Sequence, residues 1–305
     1  MEFHHVPVLL TQTIQSLQID PDGIYVDGTA GGGGHSCEIA KRLSRGKLFS
    51  IDRDPDAVKA AGERLAKYEC AKVLRGNFSD MKNLLAQEGI VRVNGILLDI
   101  GVSSHQLDCA ARGFSFHQDA PLDMRMSQDG ISAADVVNSY SEEELSRVLW
   151  EYGEEKFSRR IAAAIIRQRA QGKIQTTAQL AALISDSVPA VAKRNGHPAR
   201  QTFQALRIEV NGELEHLKKA LDDAFDLLAP GGVLSVITFH SLEDRIVKQK
   251  FNQLKSGCEC PKDFPVCVCG KKPRAQVSKP VTADQAELQE NPRSRSAKLR
   301  SVCKL

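Results

Sequence analysis

The chain has 305 residues, of which 42% are hydrophobic and 26% are charged, and its formal net charge is +3. This size and composition predict a globular protein of one large or two ordinary domains, and exclude a disordered or fibrous chain. No apolar run approaches the roughly 20 residues of a membrane span. The amino terminus also lacks the basic start and apolar core of a secretory signal, so we expect a cytoplasmic location without membrane contact.

The first predicted elements are a helix over Leu9–Leu17, which has apolar residues at helical spacing, and a strand at Ile24–Val26. Five glycines follow the strand within Gly28–Gly34, and a helix is expected to begin near Ser36. Glycine lets the backbone adopt positive φ and lets a ligand approach without meeting a Cβ. The stretch therefore predicts the nucleotide-binding corner of a doubly wound α/β sheet. The alternative is a glycine-rich loop that binds nothing.

The identity of the nucleotide depends on the acids around this turn. The dinucleotide fingerprint fits imperfectly, because its third small position falls on Ser36. Asp27 followed by the glycines instead resembles motif I of S-adenosylmethionine-dependent methyltransferases. A second strand, Lys47–Ile51, leads to Asp52, which can accept the two ribose hydroxyls. Since an acid at that place suits NAD and S-adenosylmethionine equally, both cofactors stay open on these residues alone.

The next elements are a helix over 55–67, a strand and loop over 73–80, a helix over 81–88 and a fourth strand over 95–99. Phe78 either covers the adenine of a cofactor or belongs to the core. Asp99 ends the fourth strand, at the edge where ligands of such sheets bind. A carboxylate there can accept a hydrogen bond from the exocyclic amine of a base. That bond makes the amine nitrogen more nucleophilic. The alternative is a strand-end cap.

Asp99 stands where amine-directed methyltransferases carry an acidic or polar residue before a proline-proline-aromatic loop. Here Ile100-Gly101-Val102 replaces that loop, which disfavours a DNA amine methyltransferase. Residues 112–126 follow no secondary-structure period and mix aromatic, acidic and arginine side chains, which is typical of an active-site loop.

Residues 27–35, 99–107, 112–126 and 196–208 together resemble the bacterial MraW/RsmH family, and the resemblance spans essentially the whole chain. Members methylate the N4 amine of a cytidine in the decoding (P-site) region of 16S ribosomal RNA. The resemblance implies S-adenosylmethionine as cofactor and 16S rRNA, in the small ribosomal subunit or its precursor, as partner. It implies cofactor contacts at Gly33, Gly34, His35, Asp52, Phe78, Asp99 and Gln106. His35, Phe78 and Gln106 rest on the resemblance, whereas Gly33, Asp52 and Asp99 also follow from the residues.

A wholly helical block is predicted over residues 132–193, with a capping box at Ser141. One of its helices, ending near Ala170, carries the chain's clearest basic concentration on the side away from an apolar stripe. Among the basic residues of this helix, we expect Arg159, Arg160 and Arg167 to bind RNA phosphates. Such contacts position a substrate without reading its sequence. A solvated helix face is the alternative. The basic residues are Lys156, Arg159, Arg160, Arg167, Arg169 and Lys173.

Apolar residues from Thr202 to Leu228 recur every three or four positions and predict one long amphipathic helix, which Pro230-Gly231-Gly232 ends. A fifth strand over 233–239 follows, and His240 at its end either lines the cytidine pocket or orders a loop. Arginines within 291–296 precede a last predicted strand over 297–302. Whether they hold RNA or neighbouring loops is open.

Four cysteines, Cys258, Cys260, Cys267 and Cys269, form two pairs around a proline-containing loop. Four thiolates suit tetrahedral zinc, although the single-residue gap within each pair is less usual than two. Free thiols on a surface loop are the alternative, and a reducing cytosol argues against disulfides.

Together these patterns predict a class I (Rossmann-like) S-adenosylmethionine methyltransferase sheet of about seven strands, with an inserted all-helical domain. The sheet domain is expected over 1–110 and 200–305, and the substrate-binding insert over 111–199. Two other functions stay open: an NAD-dependent oxidoreductase, and a non-catalytic ribosome-assembly factor that binds RNA. The sequence predicts no oligomeric state.

Overall fold

A computed structural model describes residues 7–190, 196–257, 260–261, 264–266 and 268–305. The chain forms two compact units, one comprising Met1–Gly101 and Leu214–Leu305, the other Val102–Glu213. The predicted insert, 111–199, lies inside the second unit. That unit also includes residues 102–110 and 200–213, which were expected in the sheet domain.

The helices make up nearly half of the described chain. Among the residues that the structure describes, no helix is both long enough and apolar enough to span a bilayer. The helices are α1 Leu10–Leu17, α2 Gly34–Ala40, α3 Pro55–Leu65, α4 Met81–Gln87, α5 Ser104–Asp108, α6 Ala133–Ser139, α7 Glu142–Gly153, α8 Ser158–Gln171, α9 Thr177–Ser187, α10 Ala199–Asn211, α11 Glu213–Leu227, α12 Ser241–Ser256 and α13 Gln285–Glu290.

The first unit contains the sheet. Its strands are β1 Ile24–Asp27, β2 Lys47–Asp52, β3 Ala71–Arg75, β4 Val93–Asp99, β5 Leu228–Thr238, β6 Ala275–Val277, β7 Val281–Thr282 and β8 Lys298–Lys304. Within the described residues they form one eight-stranded sheet in the order β3-β2-β1-β4-β5-β8-β6, with β7 also paired to β8. Strands β1 to β5 are parallel, and β8 runs antiparallel between β5 and β6.

Helices cover both faces of this sheet. Successive side chains of a strand point to opposite faces, and on the central strands both sets are apolar. On β4, Ile96 packs into one apolar cluster with Leu221 of α11 and Phe251 of α12. The next residue, Leu97, packs into another cluster with Ile39 of α2. The central strands are buried on both sides, which accounts for their nearly continuous apolar sequence. The predicted α/β class is confirmed.

The second unit is helical and has an apolar core of its own, which includes Leu149, Ile161 and Phe203. Helices α5, α6, α7 and α9 begin at side-chain caps that satisfy one of the first free amide groups. The capping box predicted at Ser141 is confirmed, with the Ser141 hydroxyl accepting from the backbone N–H of Glu144. Thr176 caps α9 in the same way.

The prediction of one helix from Thr202 to Leu228 is wrong. Helix α10 ends at Asn211, and Gly212 follows in the left-handed region with φ 59°. A glycine in this conformation ends helices because it lacks a Cβ and its amide can bond the last carbonyls. The apolar spacing continues into α11 after the break, so periodicity alone did not reveal it.

Candidate functional site

Three acidic residues end neighbouring strands of the first unit. Asp27 ends β1, Asp52 ends β2 and Asp99 ends β4. Because these strands are parallel and adjacent, the three carboxyl groups lie at one edge of the sheet. Ligands of open α/β sheets bind at this edge.

The glycine turn is fixed by Asp52. The Gly31 amide donates to Asp52 Oδ2 at 2.8 Å, and the Asp54 amide donates to Asp52 Oδ1 at 2.9 Å. Gly31 has φ 50° and Gly33 has φ 75°. A Cβ built on Gly31 would meet only Thr29 O, at 4.0 Å. The turn therefore needs glycine for its conformation and has open space beside Gly31.

Burial raises the pKa of Asp52 to about 6, although its two backbone hydrogen bonds act in the opposite direction. At neutral pH the carboxylate is ionised and accepts hydrogen bonds only. Each oxygen has a further lone pair after its backbone bond, so Asp52 can accept vicinal hydroxyl groups. It holds the turn and offers a ligand contact at the same time.

Asp27 has a different role, since it is only 1% exposed. It accepts hydrogen bonds from the Ser36 hydroxyl at 2.6 Å and from the Thr29 amide at 3.2 Å. Ser36 also contacts the hydroxyl of Ser50 on β2 at 2.8 Å. Burial raises the Asp27 pKa, and the hydrogen bonds oppose this effect. Asp27 thus braces the turn from beneath.

Asp99 combines a positioned backbone with an unsatisfied side-chain oxygen. Its amide donates to Thr29 Oγ1 at 2.6 Å. Its Oδ2 lies 3.7 Å from His35 Nδ1, beyond hydrogen-bond distance. Among the described residues, Oδ1 is buried without a hydrogen-bond partner. Burial raises the pKa of Asp99 well above its usual range, and the carboxylates of Asp27 and Glu243 raise it further.

This Oδ1 atom is the observation at the sheet edge that most favours a ligand. A buried acceptor without a partner is costly and uncommon in folded proteins. The side chain as a whole is 24% exposed, so a bound molecule can reach the group. These groups fit a nucleoside with an amino-acid portion: a glycine turn, an acceptor for hydroxyls and an acceptor for an amine or ammonium group.

His35 and Gly34 support the site through packing. His35 is 6% exposed, and its Nε2 lies 3.1 Å from Val8 O. A Cβ on Gly34 would lie 2.4 Å from Pro7 Cγ. Glycine is therefore required at position 34 by a neighbouring proline, whatever the ligand. Both residues attach the amino-terminal segment to the turn.

Phe78 is half-buried at the first position of a 3₁₀ turn, Phe78–Asp80. Asn77 caps that turn by accepting the Ser79 amide at 3.0 Å. The Phe78 Cβ would lie 3.2 Å from a Cβ built on Gly28, so the ring starts beside the glycine turn. Phe78 also packs against the core, which agrees with the core interpretation, and its contact with an adenine stays a prediction.

His240 immediately precedes α12 at the end of β5. Its Nε2 lies 3.0 Å from Glu243 Oε1, and Glu243 is fully buried. The other Glu243 oxygen accepts the backbone amides of Phe239 at 2.8 Å and His240 at 3.2 Å. Sequence reasoning missed Glu243, although an acid three residues into a predicted helix is a capping signal.

Gln106 belongs to the second unit, where it caps α5. Its Oε1 accepts the backbone N–H of Ser103 at 3.0 Å, and the backbone N–H of Gln106 donates to the Ser103 hydroxyl at 3.2 Å. The loop predicted at 112–126 is firmly held in the same unit. Arg112 donates to the carbonyls of Arg125 and Met126 at 2.9 and 3.0 Å.

The three predicted RNA-binding arginines, Arg159, Arg160 and Arg167, are exposed on α8. Arg169, from the same basic set, instead donates to the carbonyls of Val137 and Tyr140 at 3.0 and 2.6 Å, which stabilises the end of α6. Of the four cysteines predicted to bind zinc, Cys258 and Cys267 lie outside the described residues. The zinc prediction is therefore untested.

The family model described as the MraW methylase family matches residues 2–305. The chain belongs to the MraW methylase family. Its relatives include proteins named ribosomal RNA small subunit methyltransferase H from Clostridium botulinum strain Kyoto and Symbiobacterium thermophilum, 54% and 52% identical. Each alignment covers 100% of this chain and 99% or 98% of the relative. A third, ribosomal RNA small subunit methyltransferase H 2 from Agathobacter rectalis, is 53% identical over 98% of both chains.

Membership of the MraW methylase family confirms the resemblance inferred from the motifs and identifies the chain as a methyltransferase. It also removes the basis for the NAD-dependent oxidoreductase and for the non-catalytic factor. The predicted site residues Gly33, Gly34, His35, Asp52 and Asp99 are brought together at the sheet edge of the first unit.

Proposed function

We propose that the chain transfers a methyl group from S-adenosylmethionine to the N4 amine of a cytidine in the decoding (P-site) region of 16S rRNA. The substrate is the small ribosomal subunit or its precursor, and the reaction takes place in the cytoplasm, where those particles are. The observation that carries the proposal is the unpartnered, buried Oδ1 of Asp99 beside the glycine turn, in a chain of the MraW methylase family. The relatives named as small-subunit rRNA methyltransferases support the choice of RNA.

The residues of the sheet edge fit the cofactor. The backbone of Gly33 and Gly34 would face its amino-acid portion, Asp52 would accept the two ribose hydroxyls, and Phe78 would lie beside the adenine. When bound, S-adenosylmethionine supplies a methyl group attached to a positively charged sulfur. The sulfur is the leaving group and becomes a neutral thioether. The chain's own contribution is then chiefly the alignment of two reactants, which can account for most of such a rate enhancement.

In this proposal Asp99 acts on the amine. The lone pair of N4 in cytosine is delocalised into the ring, so the nitrogen is a weak nucleophile. An acceptor at Oδ1 that bonds one N4 hydrogen favours a more tetrahedral nitrogen with a directed lone pair. The raised pKa of Asp99 also makes this carboxyl group a stronger base than an ordinary aspartate. It can hold the proton that the amine loses, or water can take it.

The proposal gives roles to five further residues. His240, at the end of the strand next to β4, lines the cytidine pocket, and Gln106 contacts the cofactor. Arg159, Arg160 and Arg167 bind RNA phosphates. A structural zinc ion at Cys258, Cys260, Cys267 and Cys269 is not needed for the reaction and has no support from the described residues.

The test uses small ribosomal subunits from a strain that lacks this protein. Mass spectrometry of decoding-region fragments should show a cytidine without its N4 methyl group. Incubation of those subunits with the purified chain and S-adenosylmethionine should restore it. If the strain keeps the full modification, or if the purified chain restores none, the proposed function is wrong.

A further inference from the structure

A cleft of about 360 Å³ opens in the first unit beyond the end of β5. Its walls come from the end of β5, the first two turns of α12, the turn before β8 and the start of β8. The lining residues are Thr238, Phe239, His240, Ser241, Asp244, Arg245, Lys248, Ser296 and Lys298. None of these contributes to the glycine turn.

The cleft has an excess of positive charge. Asp244 accepts from Lys298 at 3.0 Å and from Arg300 at 2.6 Å, so its negative charge is balanced by two cations. These partners keep the pKa of Asp244 below its usual value, against the effect of burial. Arg245 and Lys248 also line the cleft. Within the part of the chain that the structure describes, exposed Lys248 forms no ion pair.

The lining also offers neutral hydrogen-bond donors. Ser241 and Ser296 carry hydroxyl groups, and Ser241 is the first residue of a 16-residue helix. The first amides of such a helix have no acceptor within it and are directed towards its amino-terminal end. Lysine, arginine, hydroxyl and backbone amide groups are the set that contacts phosphodiesters in protein–nucleic acid complexes.

The place of the cleft relates it to the proposed reaction. Asp99, at the end of β4, is in register with Ile237 on β5, and the Ile100 amide donates to Ile237 O at 2.9 Å. The cleft begins at the next residue, Thr238. Since paired strands lie about 4.8 Å apart, the cleft opens next to the point where the target amine would meet Asp99.

We infer that this cleft binds a phosphodiester of the RNA backbone beside the target cytidine. The inference rests on the proposed function and deepens it, because it places an RNA contact on the methyltransferase unit itself. It also gives a role to the basic segment 291–296, whose last residue, Ser296, lines the cleft. Bonds from charged groups to a phosphate fix the position of the nucleotide without reading its base.

The experiment compares Lys248→Gln with Lys250→Gln. Both lie on α12, but Lys250 is paired with Asp222 and does not line the cleft, so Lys250→Gln is the matched control. Steady-state methylation of small subunits from the deletion strain is measured over a range of salt concentrations. We expect Lys248→Gln to raise KM for the subunits several-fold, on the order of three- to tenfold for one charged contact. Its salt slope should fall by about 0.7.

Lys248→Arg should keep KM near the wild-type value, because it preserves the charge. If Lys248→Gln and Lys250→Gln have equal KM values and equal salt slopes, the inference is wrong. The wild type would still methylate the subunits in that case, so the proposed function would stand. Inorganic phosphate, tested by calorimetry at constant ionic strength, distinguishes the source of the anion. If Lys248→Gln abolishes phosphate binding but leaves KM unchanged, the cleft takes a free anion and the RNA assignment is wrong.

Discussion

Asp99 differs from the other strand-end acids because one of its oxygens has no partner among the described residues. Asp27 is satisfied by Ser36 and Thr29, and Asp52 is bound to two backbone amides. The sequence predicts that all three acids lie at the ends of strands. Their different roles depend on which side chains pack around them, and that information is not local to any strand.

Asp99→Asn should lower kcat for rRNA methylation by about 10²–10⁴-fold, the usual contribution of a positioned acid or base. An amide keeps the size of the side chain but loses the charge and the basicity. Rates are measured with saturating S-adenosylmethionine, and its binding is followed separately by calorimetry. An unchanged kcat would show that Asp99 only caps β4.

Asp52→Asn should weaken S-adenosylmethionine binding by about tenfold or more, because a hydrogen bond to a charged group contributes roughly 1.5–3 kcal/mol. Asparagine has one acceptor oxygen, which can still accept the Gly31 amide, while its NH2 group replaces the acceptor of the Asp54 amide. Circular dichroism therefore checks that the variant is folded. Asp56→Asn, at an exposed position in the first turn of α3, is the control. Calorimetric affinities that match for the two variants would contradict the ribose assignment.

The pKa of about 6 at Asp52 adds a pH dependence with a defined sign. Its folded-state pKa lies above the ordinary 3.8, so ionisation of Asp52 opposes folding. This cost is fully present above pH 6 and is relieved as the pH falls towards 4. Wild-type affinity for S-adenosylmethionine should fall below pH 6, where the carboxylate becomes protonated, whereas that of Asp52→Asn should not share this loss. Parallel pH profiles for the two proteins would disprove this linkage.

At the scale of single elements, α2 begins against the amino-terminal segment. Gly34→Ala should destabilise the protein by roughly 1–3 kcal/mol, the typical cost of overpacking, because the new Cβ would lie 2.4 Å from Pro7 Cγ. Gly62→Ala, in α3 with no atom within 4 Å of the new Cβ, should instead stabilise it by about 0.4–1 kcal/mol. Urea unfolding followed by circular dichroism compares the two. Equal effects would mean that Pro7 moves away freely.

Helix α8 carries Arg169, which bonds two backbone carbonyls, and the three arginines that we propose to bind RNA. Reversing Arg159, Arg160 and Arg167 to glutamate should weaken RNA binding and reduce the salt slope by up to about 2, if each contacts a single-strand phosphate. Arg169→Gln should leave the slope unchanged but cost about 1–3 kcal/mol of stability, because two carbonyls lose a charged donor. Binding assays at several salt concentrations test both. A slope unaffected by the triple reversal would assign this face to solvent.

The elements that the sequence predicts best are those with local end signals. Helix α9, which lies inside the block predicted to be helical, occupies Thr177–Ser187 because Thr176 caps it and Pro189 follows shortly after its end. The long helix over 202–228 was predicted wrongly, since its apolar spacing continues across Gly212. For residues 112–126, absence of a period suggested a catalytic loop. Three of its side chains, Leu122, Met124 and Met126, are buried in the core of the second unit, and such packing leaves no periodic signal. The active-site role stays a prediction.

At the scale of the whole molecule, cofactor binding should raise the unfolding temperature. A ligand present at 100 times its Kd stabilises the native state by about 2.7 kcal/mol. S-adenosylmethionine should therefore shift the melting temperature upward by several degrees, and NAD should not. Calorimetric melting curves with each ligand provide the measurement. A shift with NAD alone would contradict the cofactor assignment.

Strand β8 is the last strand in sequence order but pairs in the interior of the sheet, between β5 and β6. While the chain is being synthesised, β5 therefore exposes an unpaired edge until residues 298–304 have left the ribosome. Exposed strand edges attract other chains and promote aggregation. A nascent chain stalled before β8 should be a substrate for chaperones, and the sheet should close only once synthesis has passed that strand.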